Sequence, residues 1–339
     1  MATVSRSLNN SSLIPERTRK RIREIADGLG FDFNTHARSL ITRRVGTIGI
    51  ILPPDYDQFG VNLYHGTLHN SLRSVLESND IDLLVSFMNN HASGGNNIKK
   101  LVARKKVDGL IIVQPVFEQE LIDYLHAKEM PFVFSHYPPP DPCLADVDII
   151  YPDNEYGGFI AGQHLASIGK KRVLCVIHAG EKDTEREFML RLSGVRRGLS
   201  ECGVTLRPED LLIGNQTMES GYDAVMSAGT RLRDYDAILA LNDLMAIGAL
   251  LATTKLGLQV PEDIALMGYD DTDLAACVRP TLTTIHQPRE ELSLATCERL
   301  LDLIRTRREG GGMRDPQRTI LRPRLVIRET TGGRPRHEA

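Results

Sequence analysis

The chain has 339 residues, a quarter of them charged and 41% hydrophobic, with a net charge of −3. This is the composition of a soluble globular protein with room for two or three domains and a sizeable core. The charge is uneven: up to Arg44 there are nine Lys or Arg against four Asp or Glu, +5, which leaves −8 for the rest. A basic end on an acidic body points to a nucleic-acid-binding end. The five cysteines (Cys143, Cys175, Cys202, Cys277 and Cys297) are odd in number, widely spaced and free of any C-x-x-C. That pattern points to neither a disulfide framework nor a zinc site and fits a reducing compartment. The polar N-terminus lacks the apolar stretch of a secretory signal, and the apolar runs are of strand length, so the expectation is a cytoplasmic protein with no membrane partner.

In chain order, residues 3–8 read as a helical fragment and 9–12 as a polar break. Pro15 suits a first helical turn, and a helix follows over 16–29 with Ile22, Ile25, Ala26 and Leu29 on one face. Gly30 is placed to stop it, and 35–41 reads as a second short helix after Asn34. At Val45 the pattern changes. Apolar strand-length runs at 47–52, 82–87, 109–113, 132–135, 147–151, 173–177, 237–240 and 264–269 alternate with helical stretches. The helices fall at 63–78, 97–104, 119–127, 155–168, 188–201, 220–232, 243–256 and 289–307. Such alternation predicts an α/β fold of doubly wound parallel sheets, and the length splits it into two lobes with a cleft. The predicted domains are an all-α region over 1–44, a first lobe over 45–152 and 286–316, a second over 153–285 and 317–330, and a disordered tail over 331–339.

Three groups of residues carry chemistry. In the opening helix, the hydroxyls of Thr3 and Ser5 can reach phosphates and the fork of Arg6 can read guanine in a major groove. At predicted strand ends, where two-lobed folds bind ligands, stand Asp153, Asn242 and Asp270. Arg191 adds a fork for a hydroxyl pair or a carboxylate, and Phe59 follows the first strand. No G-x-S-x-G, H-E-x-x-H or P-loop occurs. The adjacent Asp270 and Asp271 are expected to diverge, and His136, His178 and His286 lack metal-ligand spacing. Neither an enzyme, a cofactor nor a metal site is expected.

The motifs Thr3-Val-Ser-Arg-Ser-Leu-Asn9, Pro15-x-x-Thr18-Arg19 and Ala37-Arg-Ser-Leu40 resemble the headpiece of the lac-repressor (LacI/GalR) family of transcription regulators. The body resembles the same family at Val107-Asp-Gly-Leu-Ile111, Asp153-Asn-x-x-Gly157, Arg191-Leu-Ser-Gly194, Asn242-Asp-x-Met-Ala246-Ile-Gly248, Gly268-Tyr-Asp-Asp271 and Leu282-Thr-Thr-Ile-His-Gln-Pro288. The resemblance covers nearly the whole chain. It implies a helix-turn-helix headpiece, a hinge helix, and a body like periplasmic sugar-binding proteins. It also implies a homodimer on a palindromic operator, one recognition helix per half-site. Hinge helices of the family wedge a leucine into the minor groove; here that residue is Leu40, beside Ala37. Asp153, Arg191, Asn242 and Asp270 match effector-binding positions of the family.

Two features depart from the family pattern. Met1 falls inside the recognition helix, and the family's first helix, which braces it, would lie upstream. The preferred expectation is a start site further upstream; the alternative is a small-molecule-binding protein without DNA activity. Second, where many members place a stacking aromatic ring, this chain has Gln216. The overall expectation is an effector-responsive DNA-binding regulator, most often a repressor in this family, sensing a sugar-like or other small polar metabolite.

Overall fold

The computed structural model describes residues 2–8, 13–29, 45–53, 59–139, 146–178, 186–311 and 315–333. They fall into two units, Met1–Gly46 and Thr47–Ala339. In the first unit, α1 (Ala2–Leu8) packs on α2 (Glu16–Gly28). Ile22 and Ala26 of α2 are half-buried, whereas Ile25 and Leu29 are exposed. The helix predicted over 35–41, with Ala37 and Leu40, lies outside the described residues.

The second unit opens with a sheet that is parallel throughout. Its strands are β1 (Thr47–Leu52), β2 (Asp82–Phe87), β3 (Gly109–Ile112), β4 (Phe132–Ser135), β5 (Ile149–Pro152) and β11 (Arg318–Leu321), in the order β11-β5-β4-β3-β1-β2. Alternate side chains of β1 enter different cores, as the two-residue period of a strand requires. Ile48, Ile50 and Leu52 meet Leu68, Leu72 and Leu76 of α3 (Phe59–Glu77) and Leu292, Leu300 and Ile304 of α11 (Arg289–Arg308). Ile51 faces the other layer, with α4 (Asn97–Ala103) and α5 (Gln119–Ala127). The central strands β1, β3 and β4 are covered on both faces, which is why they read as unbroken apolar runs.

The second sheet is built from β6 (Val173–His178), β7 (Leu211–Gly214), β8 (Ala237–Ala240) and β9 (Ala265–Met267), in the order β7-β6-β8-β9. Its helices are α6 (Asn154–Ser167), α7 (Arg186–Ser200), α8 (Met218–Ala228), α9 (Asp243–Lys255) and the short α10 (Asp273–Cys277). β10 (Thr284–His286) lies beside β9 through single bridges and pairs antiparallel with β12 (Arg324–Val326). The two sheets share one winding order, the second strand of each lying outside the first. Chain reversal therefore occurs beside the first strand of each lobe, the place where such sheets open a crevice at their carboxyl ends.

Three predicted boundaries are corrected. Residues 317–330 are predicted in the second lobe, but β11 pairs with β5 of the first, Ile320 against Tyr151. The free edge of β5 supplies the hydrogen-bonding groups that a short segment such as RTIL needs, and from β12 onward the chain returns to the second lobe, where Arg328 Nη1 donates to Leu282 O (2.8 Å) and Thr330 N to Thr281 O (3.0 Å). The tail predicted from 331 begins too early. Thr331 is buried, bonded at Oγ1 to His164 Nε2 (2.9 Å) and Thr283 Oγ1 (2.8 Å), and Gly333 N donates to Arg328 O (2.9 Å). The helix predicted over 220–232 ends at Ala228, because Gly229 turns the chain with φ +56° into a 3-10 turn, Gly229–Asp234.

Candidate functional site

The carboxyl ends of β5, β8 and β9 deliver Asn154, Asn242 and Asp270 to one end of the second lobe, where Arg191 of α7 is buried among them. Arg191 Nε donates to Asn154 Oδ1 (2.9 Å) and Nη1 to Leu241 O (2.6 Å), while Nη1 lies 3.3 Å from Asp270 Oδ1. Its guanidinium stacks over Tyr269 (4.0 Å) and Phe188 (4.8 Å). An ion pair taken from water needs such further partners to be tolerated. Burial pushes the Asp270 carboxyl up from its ordinary range, and Arg191 pulls against it. Gln287 Nε2 donates to Asp270 Oδ1 (2.7 Å).

Asp270 and Asp271 diverge, each with a left-handed backbone (φ 116° and 54°). The Asp271 carboxylate turns away to His286 Nδ1 (2.8 Å) and Arg328 Nη2 (2.6 Å). Burial alone would raise its pKa, but these two bonds hold it at about 2. The first lobe contributes aromatic rings. Tyr64 and His65 of α3 and His136 and Tyr137 after β4 are all buried, with the two imidazoles 4.9 Å apart. His65 Nε2 lies 3.1 Å from Tyr137 Oη. Burial lowers His65 to about 3 and His136 well below its usual range, His136 being further depressed by His65, Arg191 and Arg289. Both rings are therefore neutral at neutral pH.

Three buried polar atoms at this end have no hydrogen-bond partner among the described residues: Tyr269 Oη, Gln287 Oε1 and Arg289 Nε. Buried groups of this kind normally find partners, which makes this end of the lobe the candidate site. Tyr269 reaches this place because residue 157 is glycine: a Cβ there would stand 2.0 Å from Tyr269 Oη.

The structure thus brings Arg191 and Asp270 together. Asp153 and Asn242 act as helix caps: Asp153 Oδ1 accepts from Tyr156 N (2.9 Å), and Asn242 Oδ1 accepts from Met245 N (2.8 Å). Asn242 Nδ2 donates to the carbonyl of Gln216 (3.0 Å), so Gln216 is held by its backbone, at φ 71°. Phe59 begins α3, and its side chain lies outside the described residues. Thr3 and Arg6 are exposed on α1, while the side chain of Ser5 lies outside the described residues. Sequence reasoning missed Asn154, Tyr269, Gln287, Arg289 and the first-lobe rings. The Asn154 amide could have been suspected from its place beside Asp153; the others depend on which strands cross between lobes.

Two sheets of one winding order, with a buried charged pair at their carboxyl ends, define a two-lobed binding body of the periplasmic-binding-protein type. A model described as a periplasmic binding protein-like domain matches residues 163–331. The HTH-type transcriptional repressor PurR of Photobacterium profundum is 29% identical over 334 residues, 97% of this chain and 94% of that protein. Among solved structures, the lac repressor dimer bound to operator and the anti-inducer ONPF aligns with a TM-score of 0.77 at 25% identity, over 97% of this chain and 94% of that one. The transcriptional regulator CelR–cellobiose complex aligns with a TM-score of 0.73 at 26% identity, over 97% and 95%. Over nearly its whole length the chain is thus similar to transcriptional regulators, the lac repressor among them, in line with the resemblance of its motifs to the LacI/GalR family.

Proposed function

We propose that the protein is an effector-responsive DNA-binding transcriptional repressor whose effector is a sugar-like, polar small molecule held between the two lobes. The observation that carries this reading is the buried Arg191–Asp270 pair surrounded by three unpartnered polar atoms. A carboxylate and a guanidinium side by side offer an acceptor and donors to adjacent hydroxyls, and the neutral rings of Tyr64, His65, His136 and Tyr137 supply an apolar wall. The relatives support the regulatory half: one is named a repressor, and one solved neighbour is a regulator with cellobiose. The active form is a cytoplasmic homodimer on a palindromic operator. Thr3, Ser5 and Arg6 meet DNA from α1, and Ala37 and Leu40 meet it from the hinge. Effector binding shifts the population between lobe arrangements that differ in DNA affinity.

The test uses the full chain. A thermal-shift screen of sugars, sugar phosphates, sugar acids and nucleosides identifies a ligand. Selection from a random DNA pool is then run with and without that ligand. The expected result is an enriched inverted repeat whose binding the ligand changes at least tenfold. Asp270→Asn, which keeps the side-chain shape, is expected to weaken calorimetric ligand binding at least 100-fold. Undiminished affinity would move the site elsewhere. Ligand binding with no enriched DNA would favour a small-molecule-binding protein without DNA activity.

A further inference from the structure

Arg289 stands in the first turn of α11, a helix whose Leu292, Cys297, Leu300 and Ile304 sit in the first-lobe core. Its guanidinium, however, ends in the second lobe. Nη1 donates to the carbonyl of Asp270 and Nη2 to that of Asp271, each at 2.8 Å. We propose that Arg289 is a positioning residue that holds the Asp270–Asp271 turn from the first lobe and so aims the Asp270 carboxylate at Arg191. This rests on the interlobe reading of the effector site.

The geometry is specific. Two consecutive non-glycine residues with φ of 116° and 54° are disfavoured, and such a backbone persists only when its surroundings over-determine it. The turn is held on one side by Asp270 N donating to Ile285 O (2.8 Å). On the other side, two successive carbonyls are gripped by the planar fork of one arginine. A guanidinium can make both bonds at once with little loss of freedom, whereas an ammonium is a single point of charge on a flexible stem. The Arg289 side chain is itself fixed, being buried and lying 5.3 Å over the ring of Tyr64. The Asp270 turn is thereby tied to both α11 and α3 of the first lobe. A movement of Asp270 on ligand binding is transmitted to those helices through the two carbonyl contacts with Arg289.

The experiment is hydrogen–deuterium exchange on the full chain without ligand, so its outcome does not depend on whether the cleft binds a sugar. In Arg289→Met, amides of residues 270–272 are expected to exchange at least tenfold faster, with those of β6 and β8 unchanged. Arg289→Lys is expected to fall between Met and the native residue, and it carries the test if the Met variant does not accumulate. Unchanged exchange at 270–272 would overturn the proposal. So would an equal rise throughout the second lobe, because that is what a merely structural role produces. The expected exchange changes together with failure of every ligand in the screen would sink the effector reading and leave the clamp standing.

Discussion

Asp243, the first residue of α9, is a fully buried carboxyl facing three donors. Thr272 N (2.7 Å) and Thr272 Oγ1 (3.0 Å) donate to Oδ2, and Thr284 Oγ1 (2.6 Å) donates to Oδ1. Burial, and then the charge of Asp270, raise its pKa from 3.8 to about 7, against the pull of those hydrogen bonds. Between these two values the folded protein holds a proton that the unfolded chain has lost. Stability contributed by this residue therefore falls as pH rises through the window and is flat above about 7. Asp271 acts in the opposite sense: its folded value of about 2 makes it stabilising above 3.8, with the benefit lost as pH falls toward 2. Its contribution is about 1 kcal/mol after screening by solvent. Asp243→Asn preserves the shape and removes the titration. The unfolding free energy of the native protein, taken from urea titrations, is expected to fall between pH 4 and 7 by on the order of 2–4 kcal/mol more than that of the variant. Equal slopes in the two proteins would show that the hydrogen bonds keep Asp243 ionised throughout.

At the scale of elements, the position of Arg191 is set by how closely two helices approach. A Cβ at Gly158 of α6 would stand 1.9 Å from Arg191 O, and one at Gly194 of α7 would stand 1.9 Å from Glu155 O. Each glycine lets the opposite backbone in, and the crossing places Arg191 where it meets Asn154 and Asp270. The same device recurs between α8 and α9, where Cβ atoms on Gly221 and Gly248 would stand 2.2 Å from Met245 O and 1.9 Å from Met218 O. Gly194→Ala must push α6 and α7 apart. Overpacking of this kind costs about 1–3 kcal/mol or more, so thermal unfolding is expected several degrees lower, with weaker ligand binding through displacement of Arg191. A variant with native melting temperature would mean that the helices slide without loss. The Arg191-x-x-Gly194 pattern was visible in the sequence, but its glycine is explained by the partner helix, which no local spacing reveals. For the same reason the buried strands of both sheets were legible as apolar runs, whereas β7, β10, β11 and β12 were not. These strands are of three or four residues, and they are defined by edges that the rest of the fold provides. Asp270 and Arg191 could be placed at the site from strand ends and motif. Arg289 could not, because its partners are backbone carbonyls of another lobe.

For the whole molecule, an inverted-repeat operator requires two copies of the chain related by a twofold axis, and the copies need a face to share. Strand β2 forms one edge of the first sheet, pairing only with β1 among the described strands. It exposes Val85 (43%) and Phe87 (41%). An apolar edge strand left open is an aggregation hazard that natural proteins cover or blunt with charge. This edge carries no Lys, and its one charged residue, Asp82, stands at its start. A second copy of the chain is the cover consistent with the proposed function. Sedimentation of the native protein is then expected at twice the 37.7 kDa chain mass. The double variant Val85→Lys, Phe87→Lys is expected to sediment as a monomer. It should keep its affinity for any ligand found by thermal shift, because the substituted side chains lie on the edge strand, apart from the proposed effector site at Arg191, Asp270 and Gln287. It should also lose at least tenfold in affinity for an inverted repeat, while a single half-site is bound as weakly as by the native chain. A variant that remains dimeric would place the shared face on other elements. A variant that is monomeric yet keeps full operator affinity would separate DNA recognition from dimerisation.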